Sequence, residues 1–378
     1  MSVLIVKLSS LGDVIHALPV VADIQAAWPG ARVDWVVEPG FAPLVRRVHG
    51  IGTVIECAQR RWRKRWWTAE VRAEKRAFRA ALRCQSYDAV LDLQGLTKSA
   101  LVARQARKTE TGQHIAMGNR TDGSGWEAPT RWLADRAITL DPAVHVVDRG
   151  RLFAAKALDY ELVGAPRYGL SPHPADLADL PALPRTRQTP PAGPSDRHAD
   201  AHGLPAAGPG LPAAPGPIET STRPTVVFIH GTSRDDKLWP EADWIALGQR
   251  LVAAGWCIAL PQGSDAEGDR ARRLAQAWGE GNAVVWPRMA LDALFDHMAQ
   301  AQAAIGVDSG LSHLAVALDL AHVQLYNFPT AWRTGPQARH SPAGVAAHLL
   351  SVGGDHVPSL DEVWHAWQQV ATARGLVS

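Results

Sequence analysis

Short, almost wholly apolar runs alternate with longer amphipathic stretches along most of this 378-residue sequence, and this alternation constrains the fold most strongly. A run such as Val3–Leu8 predicts a strand buried on both faces, which is typical of a parallel sheet covered by helices. A helical pattern follows it from Asp13 to about Trp28. The sequence therefore predicts an α/β fold, and at about 150 residues per domain its length favours two domains.

Residues 171–224 interrupt the alternation, since they hold 13 of the 27 prolines and no aromatic residue. Such a stretch buries too little apolar surface to offset the entropy lost on ordering, so we expect a flexible linker or surface insertion. We expect a first Rossmann-like domain over 1–170 and a second over 225–358. Residues 359–378 predict a C-terminal helix that packs back on the first domain.

Two doubly wound domains joined by a linker leave a cleft, and ligands bind where the carboxyl ends of the strands face it. The three cysteines match no metal-binding spacing, which favours a reducing compartment. The N-terminal segment lacks the features of a signal peptide. No run of about 18 apolar residues predicts a membrane-spanning helix. We therefore expect a soluble, cytoplasmic protein.

The turn after the first predicted strand ends in Asp13. The segment Lys7–Asp13 (KLSSLGD) places Gly12 in the turn and a carboxylate in the first turn of the next helix, at the carboxyl edge of the sheet. An aspartate there stabilises the helix dipole, and it also suits a catalytic base. The spacing alone leaves both roles open. The segment is not a dinucleotide fingerprint, because it contains no GxGxxG.

Two segments in the second half suit phosphate binding. In His230–Pro240 a strand is followed by two hydroxyl residues and Lys237, a combination that suits a diphosphate. In Gly306–His313 a strand runs into Asp-Ser-Gly at the start of a helix, whose unpaired N–H groups favour an anion. Turn-capping roles, and a core position for His313, fit the same residues.

Positive charge is concentrated in one part of a chain whose net charge is only +2. Ten basic residues lie between Arg60 and Arg83, opposed only by Glu70 and Glu74, and three tryptophans interleave with them in Arg60–Trp67. Such a patch faces an anionic partner. Nucleic acid, a phosphorylated or carboxylated acceptor, and an anionic membrane surface all fit. A merely solvated face would leave the tryptophans exposed without a reason.

In order and spacing, these segments resemble those of the lipopolysaccharide heptosyltransferases (glycosyltransferase family nine), and of the heptosyltransferase I group in particular. The resemblance covers nearly the whole chain. The segments that carry it are Val3–Pro19 (VLIVKLSSLGDVIHALP), Arg60–Lys64 (RRWRK), Asp92–Ser99 (DLQGLTKS), Thr232–Trp239 and Asp308–His313.

The resemblance implies the GT-B fold, in which two Rossmann-like domains face each other across a cleft. It also implies an inverting enzyme that moves L-glycero-D-manno-heptose from ADP-heptose to the Kdo residue of Kdo-lipid A. Such an enzyme would work peripherally on the anionic cytoplasmic face of the inner membrane. It would have no cofactor, no metal and no nucleic-acid partner.

Roles for individual residues follow from the same resemblance. Asp13 matches the general base, Glu267 matches the carboxylate that holds the ribose, and Met289 matches a position near the adenine. Ser309 stands where related enzymes often have threonine. The donor-binding set comprises Thr232, Ser233, Lys237, Glu267, Met289, Asp308, Ser309, Gly310, Leu311 and His313. The acceptor-binding set comprises Arg60, Arg61, Arg63, Lys64 and Arg120.

Three alternatives stay open. A relative that adds the second core heptose, or another sugar, would share the fold and the donor loop. A GT-B sugar-nucleotide epimerase would have no acceptor and would not need the basic patch. A non-enzymatic protein that binds nucleic acid or another anionic polymer would use the patch and leave Asp13 and Asp308 purely structural.

Overall fold

The computed structural model describes residues 1–170, 223–336 and 347–377. The linker predicted over 171–224 therefore lies outside the described residues, apart from its last two positions. The described chain forms two compact units. The first holds 1–170 and the short segment 332–334, and the second holds the other described residues.

The sheet of the first unit has six parallel strands. They are β1 (Ser2–Val6), β2 (Arg32–Val37), β3 (Ile51–Glu56), β4 (Ser86–Asp92), β5 (Arg107–Met117) and β6 (Arg136–Ile138). Their order is β3-β2-β1-β4-β5-β6, so Val3 pairs with Val33 on one side and with Ala89 on the other. The strand order reverses between β1 and β4, the switch point at which doubly wound sheets bind ligands.

Eight helices are described around this sheet. They are α1 (Leu11–Ala17), α2 (Pro19–Ala27), α3 (Ala42–Val45), α4 (Gln59–Lys64), α5 (Ala69–Arg83), α6 (Thr97–Ala103), α7 (Pro129–Leu133) and α8 (Val146–Leu158). The single helix predicted from Asp13 to about Trp28 is two helices, because Pro19 starts a new one and cannot donate to the preceding turn. Helix α5 buries Val71, Phe78 and Leu82, which leaves its arginines exposed.

The sheet of the second unit repeats the same arrangement. Its strands are β7 (Thr225–Ile229), β8 (Cys257–Leu260), β9 (Ala283–Val285), β10 (Ala303–Val307), β11 (Ala321–Tyr326) and β12 (Leu349–Gly353). The order β12-β11-β10-β7-β8-β9 is that of the first sheet, with the switch point between β7 and β10. The prediction of two doubly wound α/β domains is confirmed.

Helices flank this second sheet as well. They are α9 (Glu241–Ala253), α10 (Asp265–Trp278), α11 (Leu291–Ala299), α12 (Gly310–Ala317) and α14 (Leu360–Ala373). The short helix α13 (Ala331–Thr334) precedes α14 in the chain, and its last three residues belong to the first unit. The C-terminal helix α14 packs on β11, β12 and α9, with Val363, Trp367 and Val370 in the second core. The expectation that it packs back on the first domain is wrong, because its apolar stripe covers the second sheet.

Tryptophans fill much of the second core. Trp239 packs edge-to-face on Trp244, and Trp256 packs in the same way on Trp367, both with ring centroids 5.0 Å apart. Aromatic pairs prefer this geometry. The arrangement accounts for part of the high count of 15 tryptophans.

No helix in the described residues is both long and apolar enough to cross a membrane.

Candidate active site

In the first unit, the predicted site residues follow three different strands at the carboxyl edge of the sheet. Asp13 lies on α1 just after β1, Arg60 lies on α4 just after β3, and Arg120 follows β5. This edge is where doubly wound sheets bind ligands. The structure therefore places the proposed base and the proposed acceptor residues on one side of the sheet.

Asp13 caps its own helix and also faces two cations. The backbone N–H and the hydroxyl of Ser10 donate to Asp13 Oδ2 at 3.1 and 2.9 Å. The other oxygen, Oδ1, lies 3.6 Å from Lys7 Nζ and 3.8 Å from Arg149 Nη2. The Asp13 side chain is 37% exposed, so the carboxylate is accessible to a substrate. The capping role and a catalytic role are compatible here.

The two cations decide the charge state of Asp13. Burial alone would raise the pKa of its carboxyl group, but Lys7, Arg149 and the hydrogen bonds from Ser10 together hold that pKa below its ordinary value. The group is therefore ionised at neutral pH and able to accept a proton.

Both cations are fixed by further contacts. Lys7 Nζ donates to the carbonyl of Leu93 at 3.1 Å, and Arg149 Nη1 donates to Thr121 Oγ1 at 3.3 Å. Asp92, at the end of β4, is fully buried, and burial raises the pKa of its carboxyl group to about 6 although Lys7 opposes this. Sequence reasoning gave no role to Arg149, Thr121 or Asp92. Lys7 and Asp92 stand at the ends of apolar strands, and this position could have marked them as site residues. Arg149 and Thr121 have no such position in the sequence.

The predicted acceptor residues differ in how they are held. Arg60 is anchored by its backbone N–H, which donates to Glu38 Oε1 at 3.2 Å. Arg61 pairs with Glu74 at 2.7 Å, so its charge is partly neutralised within the protein. Arg63 and Lys64 lie on the exposed side of α4, and Arg120 is exposed after β5.

The tryptophans of the basic segment divide into one buried and two exposed side chains. Trp62 is buried against Phe78, and its Nε1 donates to Glu74 Oε2 at 2.7 Å, which fastens α4 to α5. Trp66 and Trp67 follow α4 and are 65% and 60% exposed. The basic patch therefore carries an exposed aromatic pair.

In the second unit, Asp308 is the centre of the predicted donor site. Lys237 Nζ donates to Asp308 Oδ2 at 2.5 Å. The other carboxylate oxygen, Oδ1, lies 3.5 Å from His313 Nε2 and accepts from Gln324 Nε2 at 3.4 Å. Thr232 Oγ1 donates to the backbone carbonyl of Asp308 at 3.3 Å. The structure thus brings together the two loops that the sequence singled out separately.

Helix α12 begins beside this cluster, with Ser309 at its N-cap position. The Ser309 hydroxyl oxygen is buried and has no hydrogen-bond partner in the described part of the chain. Gly310 and Leu311 form the first, half-buried turn, whose N–H groups have no partner within the helix. These donors suit an anionic group of a ligand.

Glu267 lies against the end of β7. A Cβ atom on Gly231 would lie 2.4 Å from Glu267 Oε1, so a larger residue there would displace the Glu267 side chain. Glu267 Oε2 accepts from the backbone of Gly263 at 2.5 Å. Met289 is half-buried between β9 and α11, and Ser233 is exposed. Within the described chain, the hydrogen bonds around Asp308 include neither of these two residues.

Among the residues that the structure describes, no group of three or more histidine, cysteine, aspartate or glutamate side chains is placed to hold a metal ion. Positive charge near the second cluster comes from Lys237, from Arg234, which interacts with Asp308, and from the start of α12. Arg270 Nη1 donates to the carbonyl of His230 at the end of β7, at 3.1 Å.

Comparison with known proteins shows the family of the chain. Residues 75–349 match the model of glycosyltransferase family 9 (heptosyltransferase). The chain belongs to this family. It is therefore an enzyme of the glycosyltransferase class, and the resemblance inferred from the motifs is confirmed.

Curated relatives and solved structures support the assignment over nearly the whole length. The chain is 37% identical over 339 residues to lipopolysaccharide heptosyltransferase 1 of Pseudomonas aeruginosa, covering 90% of this chain and 82% of that protein. For the Escherichia coli K12 protein of the same name, identity is 37% over 332 residues, covering 86% and 88%. The structure of E. coli heptosyltransferase WaaC with ADP-2-deoxy-2-fluoro heptose superimposes with a TM-score of 0.70 at 32% identity, covering 99% of both chains.

The structure of E. coli ADP-heptose lps heptosyltransferase II is also similar, with a TM-score of 0.65 over 100% of this chain and 99% of that chain. Its sequence identity is only 18%, so this likeness concerns the fold alone.

Proposed function

We propose that this family 9 enzyme is an inverting heptosyltransferase that transfers L-glycero-D-manno-heptose from ADP-heptose to the Kdo residue of Kdo-lipid A. One observation carries the proposal: an accessible, ionised Asp13 stands at the switch point of one sheet, and the Lys237–Asp308 cluster stands at the equivalent point of the other. The first supplies a base and the second a site for a departing diphosphate.

On the acceptor side, a sugar hydroxyl is a weak nucleophile unless its proton is removed as the new bond forms. Asp13 accepts that proton, the acceptor oxygen bonds to the anomeric carbon, and the bond from that carbon to the diphosphate oxygen breaks. The electron pair of the broken bond leaves with ADP. A positioned carboxylate contributes about 10²- to 10⁴-fold to such a step. One in-line displacement inverts the anomeric centre.

On the donor side, negative charge grows on the departing diphosphate. Lys237 is held 2.5 Å from Asp308, and the N–H groups of Gly310 and Leu311 open the helix beside it. We propose that Lys237 turns from Asp308 to the diphosphate when the donor binds, while Ser309 and Thr232 contribute hydroxyl groups. Fixed donors that meet developing charge in this way lower the barrier without a divalent metal.

Glu267 and Met289 complete the proposed donor site. Glu267 follows β8 and Met289 follows β9, so both lie farther along the carboxyl edge of the sheet than the Asp308 cluster. A carboxylate oxygen suits the two ribose hydroxyls, and the half-buried thioether of Met289 suits the face of the adenine.

The basic patch favours an acceptor with several negative charges. Arg60, Arg63, Lys64 and Arg120 are exposed at the edge that holds Asp13, and carboxylates and phosphates bind such groups. Kdo carries a carboxylate and lipid A carries phosphates. The 37% identity to two heptosyltransferase 1 proteins favours addition of the first heptose.

The exposed pair Trp66–Trp67 favours peripheral binding to the cytoplasmic face of the inner membrane, where the lipid acceptor lies. Tryptophan prefers the interface between headgroups and acyl chains, and clustered arginines and lysines are attracted to anionic lipids at about 1 kcal/mol each. The exposed tryptophans and the clustered arginines and lysines lie together in the segment from α4 to the start of α5.

Release of ADP tests the proposed reaction. The purified protein is incubated with ADP-heptose and Kdo-lipid A in EDTA, beside Asp13→Ala. We expect release that requires the acceptor, persists in EDTA and falls at least 100-fold in the variant. Release only with lipid A that already carries one heptose would assign the second transfer instead. Release without any acceptor would contradict the proposal.

Vesicle flotation tests the membrane proposal. Vesicles with about one-third phosphatidylglycerol should retain the protein, vesicles of pure phosphatidylcholine should not, and Trp66→Ser with Trp67→Ser should weaken retention. Trp132→Ser is the matched control, because Trp132 is 70% exposed but lies on α7. Equal retention by both lipid compositions, or equal loss in the control, would contradict the proposal.

A further inference from the structure

Two buried cations converge on one oxygen of Asp13. Lys7 Nζ lies 3.6 Å and Arg149 Nη2 lies 3.8 Å from Oδ1, and their side chains are only 4% and 8% exposed. Burying a cation is costly unless an opposite charge compensates it. Stabilisation of helix α1 does not explain the two buried cations, because Ser10 already donates two hydrogen bonds to Oδ2, the oxygen of Asp13 that takes part in capping.

Other charged groups reach this site from neighbouring elements. Burial lowers the pKa of the Lys7 amine, and Asp13 and Asp92, the latter on β4, oppose this by favouring its charged form. Arg333, on α13, acts on Arg149 as a like charge. The Arg149 side chain is fixed by Thr121, which lies next to the predicted acceptor residue Arg120. The set therefore connects Asp13 to the region where an anionic acceptor would bind.

We propose that Lys7 and Arg149 are positioning residues that keep Asp13 ionised and oriented while an anionic acceptor binds beside it. The inference rests on the proposed function, in which Asp13 is the base and the acceptor carries carboxylate and phosphate groups. A nearby negative charge makes a carboxylate hold its proton more tightly. Without the two cations, the approaching substrate would therefore favour protonation of its own base.

Geometry supports an electrostatic role. Distances of 3.6 and 3.8 Å exceed the 2.7–2.9 Å typical of a charge-assisted hydrogen bond, so the cations act on Oδ1 mainly through charge. Ser10 fixes the opposite oxygen. The carboxylate is thus held at one end by hydrogen bonds and at the other by charge.

The test is the pH dependence of kcat in Arg149→Met, measured as ADP release from about pH 3 to 8 with ADP-heptose and Kdo-lipid A, because the acid limb set by Asp13 lies below the ordinary carboxyl range. Loss of one cation should move the acid limb of the profile upward by about one pH unit. The loss of rate should be largest at low pH and should shrink as pH rises, with the donor KM unchanged. Arg149→Lys keeps a positive charge, so its acid limb should lie close to that of the unaltered enzyme.

Two further variants keep the test interpretable. In Arg149→Met, Thr121 Oγ1 keeps its hydrogen bond to Ser124. Thr121→Val loosens Arg149 but leaves its charge in place, so it should move the acid limb in the same direction by less. Arg136→Met is the matched control. Its guanidinium donates to Lys156 and Ala157 at the end of the same helix α8, so it should leave the acid limb in place.

An unmoved acid limb in Arg149→Met, or a loss of rate that is equal at every pH, would overturn the role of the cations and leave the proposed reaction standing. A shift of the same size in Arg136→Met would also overturn it. Absence of acceptor-dependent ADP release in the unaltered enzyme would overturn the proposed function, and this inference with it.

Discussion

The two sheets share one strand order, yet the aspartates at their switch points are held in opposite ways. Asp13 is 37% exposed and meets its two cations at 3.6 and 3.8 Å. Asp308 is 8% exposed and joined to Lys237 at 2.5 Å. An accessible carboxylate oxygen whose cations stay beyond hydrogen-bond distance is free to take a proton, whereas a buried oxygen in a close ion pair orients its partner. The topology provides two sites, and the loops decide their chemistry.

The two clusters also differ in the charge that surrounds them. In the first, two buried cations share Asp13, with the buried Asp92 behind one of them. In the second, one lysine meets one carboxylate, and neutral donors such as Gln324 complete the set. We therefore expect the first cluster to respond to pH and the second to respond to the nucleotide.

Replacing each aspartate by asparagine should separate these roles most strongly. Asp13→Asn keeps an oxygen for the Ser10 hydrogen bonds but cannot act as a base, so kcat should fall about 10²- to 10⁴-fold with ADP affinity unchanged by calorimetry. Asp308→Asn should change ADP affinity and retain more of kcat. Equal losses of kcat at unchanged ADP affinity would show that the two carboxylates do not differ in role.

Lys237→Met should have the next largest effect. It removes a charge-assisted contact to the diphosphate, so ADP affinity should fall about 10- to 100-fold. It also leaves Asp308 buried without its cation, so the melting temperature should fall, and adding Asp308→Asn should recover part of that loss. Arg250→Met is the control, because its pair with Asp361 is exposed. Unchanged ADP affinity would contradict the donor-site assignment.

The smallest expected effect concerns Asp92. Its pKa is about 6 in the folded protein against an ordinary 3.8, so the folded state binds the proton more tightly. The contribution of Asp92 to stability therefore declines as pH rises from about 4 to 6. At pH 7.5 the folded protein bears the cost of a buried, ionised carboxylate, and Asp92→Asn removes that cost. The variant should therefore melt about 3 °C higher than the unaltered protein at pH 7.5, with a smaller difference at pH 5. If the melting temperature of Asp92→Asn exceeded that of the unaltered protein equally at both pH values, the pH dependence of stability would not come from this carboxyl group.

Much of the fold could be predicted because its signals are local. Apolar runs such as Val3–Leu8 and Thr225–His230 marked central strands. The turn predicted at Gly12 was wrong, because helix α1 already begins at Leu11, after Ser10 as its N-cap. The break at Pro19 was missed because the apolar pattern continues through it. The docking of α14 was also missed, since a helical stripe shows that a face is buried but not which sheet covers it.

The candidate site was predictable only where a motif carries it. Asp13, Lys237 and Asp308 stand in short segments next to strand ends, so their clustering at sheet edges follows from topology. Arg149 has no such signal. It lies 136 positions after Asp13, and only the packing of α8 on α1 and α2 brings its guanidinium to the carboxylate.

The Lys237–Asp308 pair also makes the second half of the chain suitable for chemical footprinting. Lys237 is the one lysine in the sequence from 225 to 378, so an amine-directed acylating reagent can modify a lysine side chain there at a single position. Its side chain is 23% exposed in the ion pair. The mass of one proteolytic peptide then reports what fraction of molecules shields that amine, with no need for a labelled nucleotide or a completed reaction.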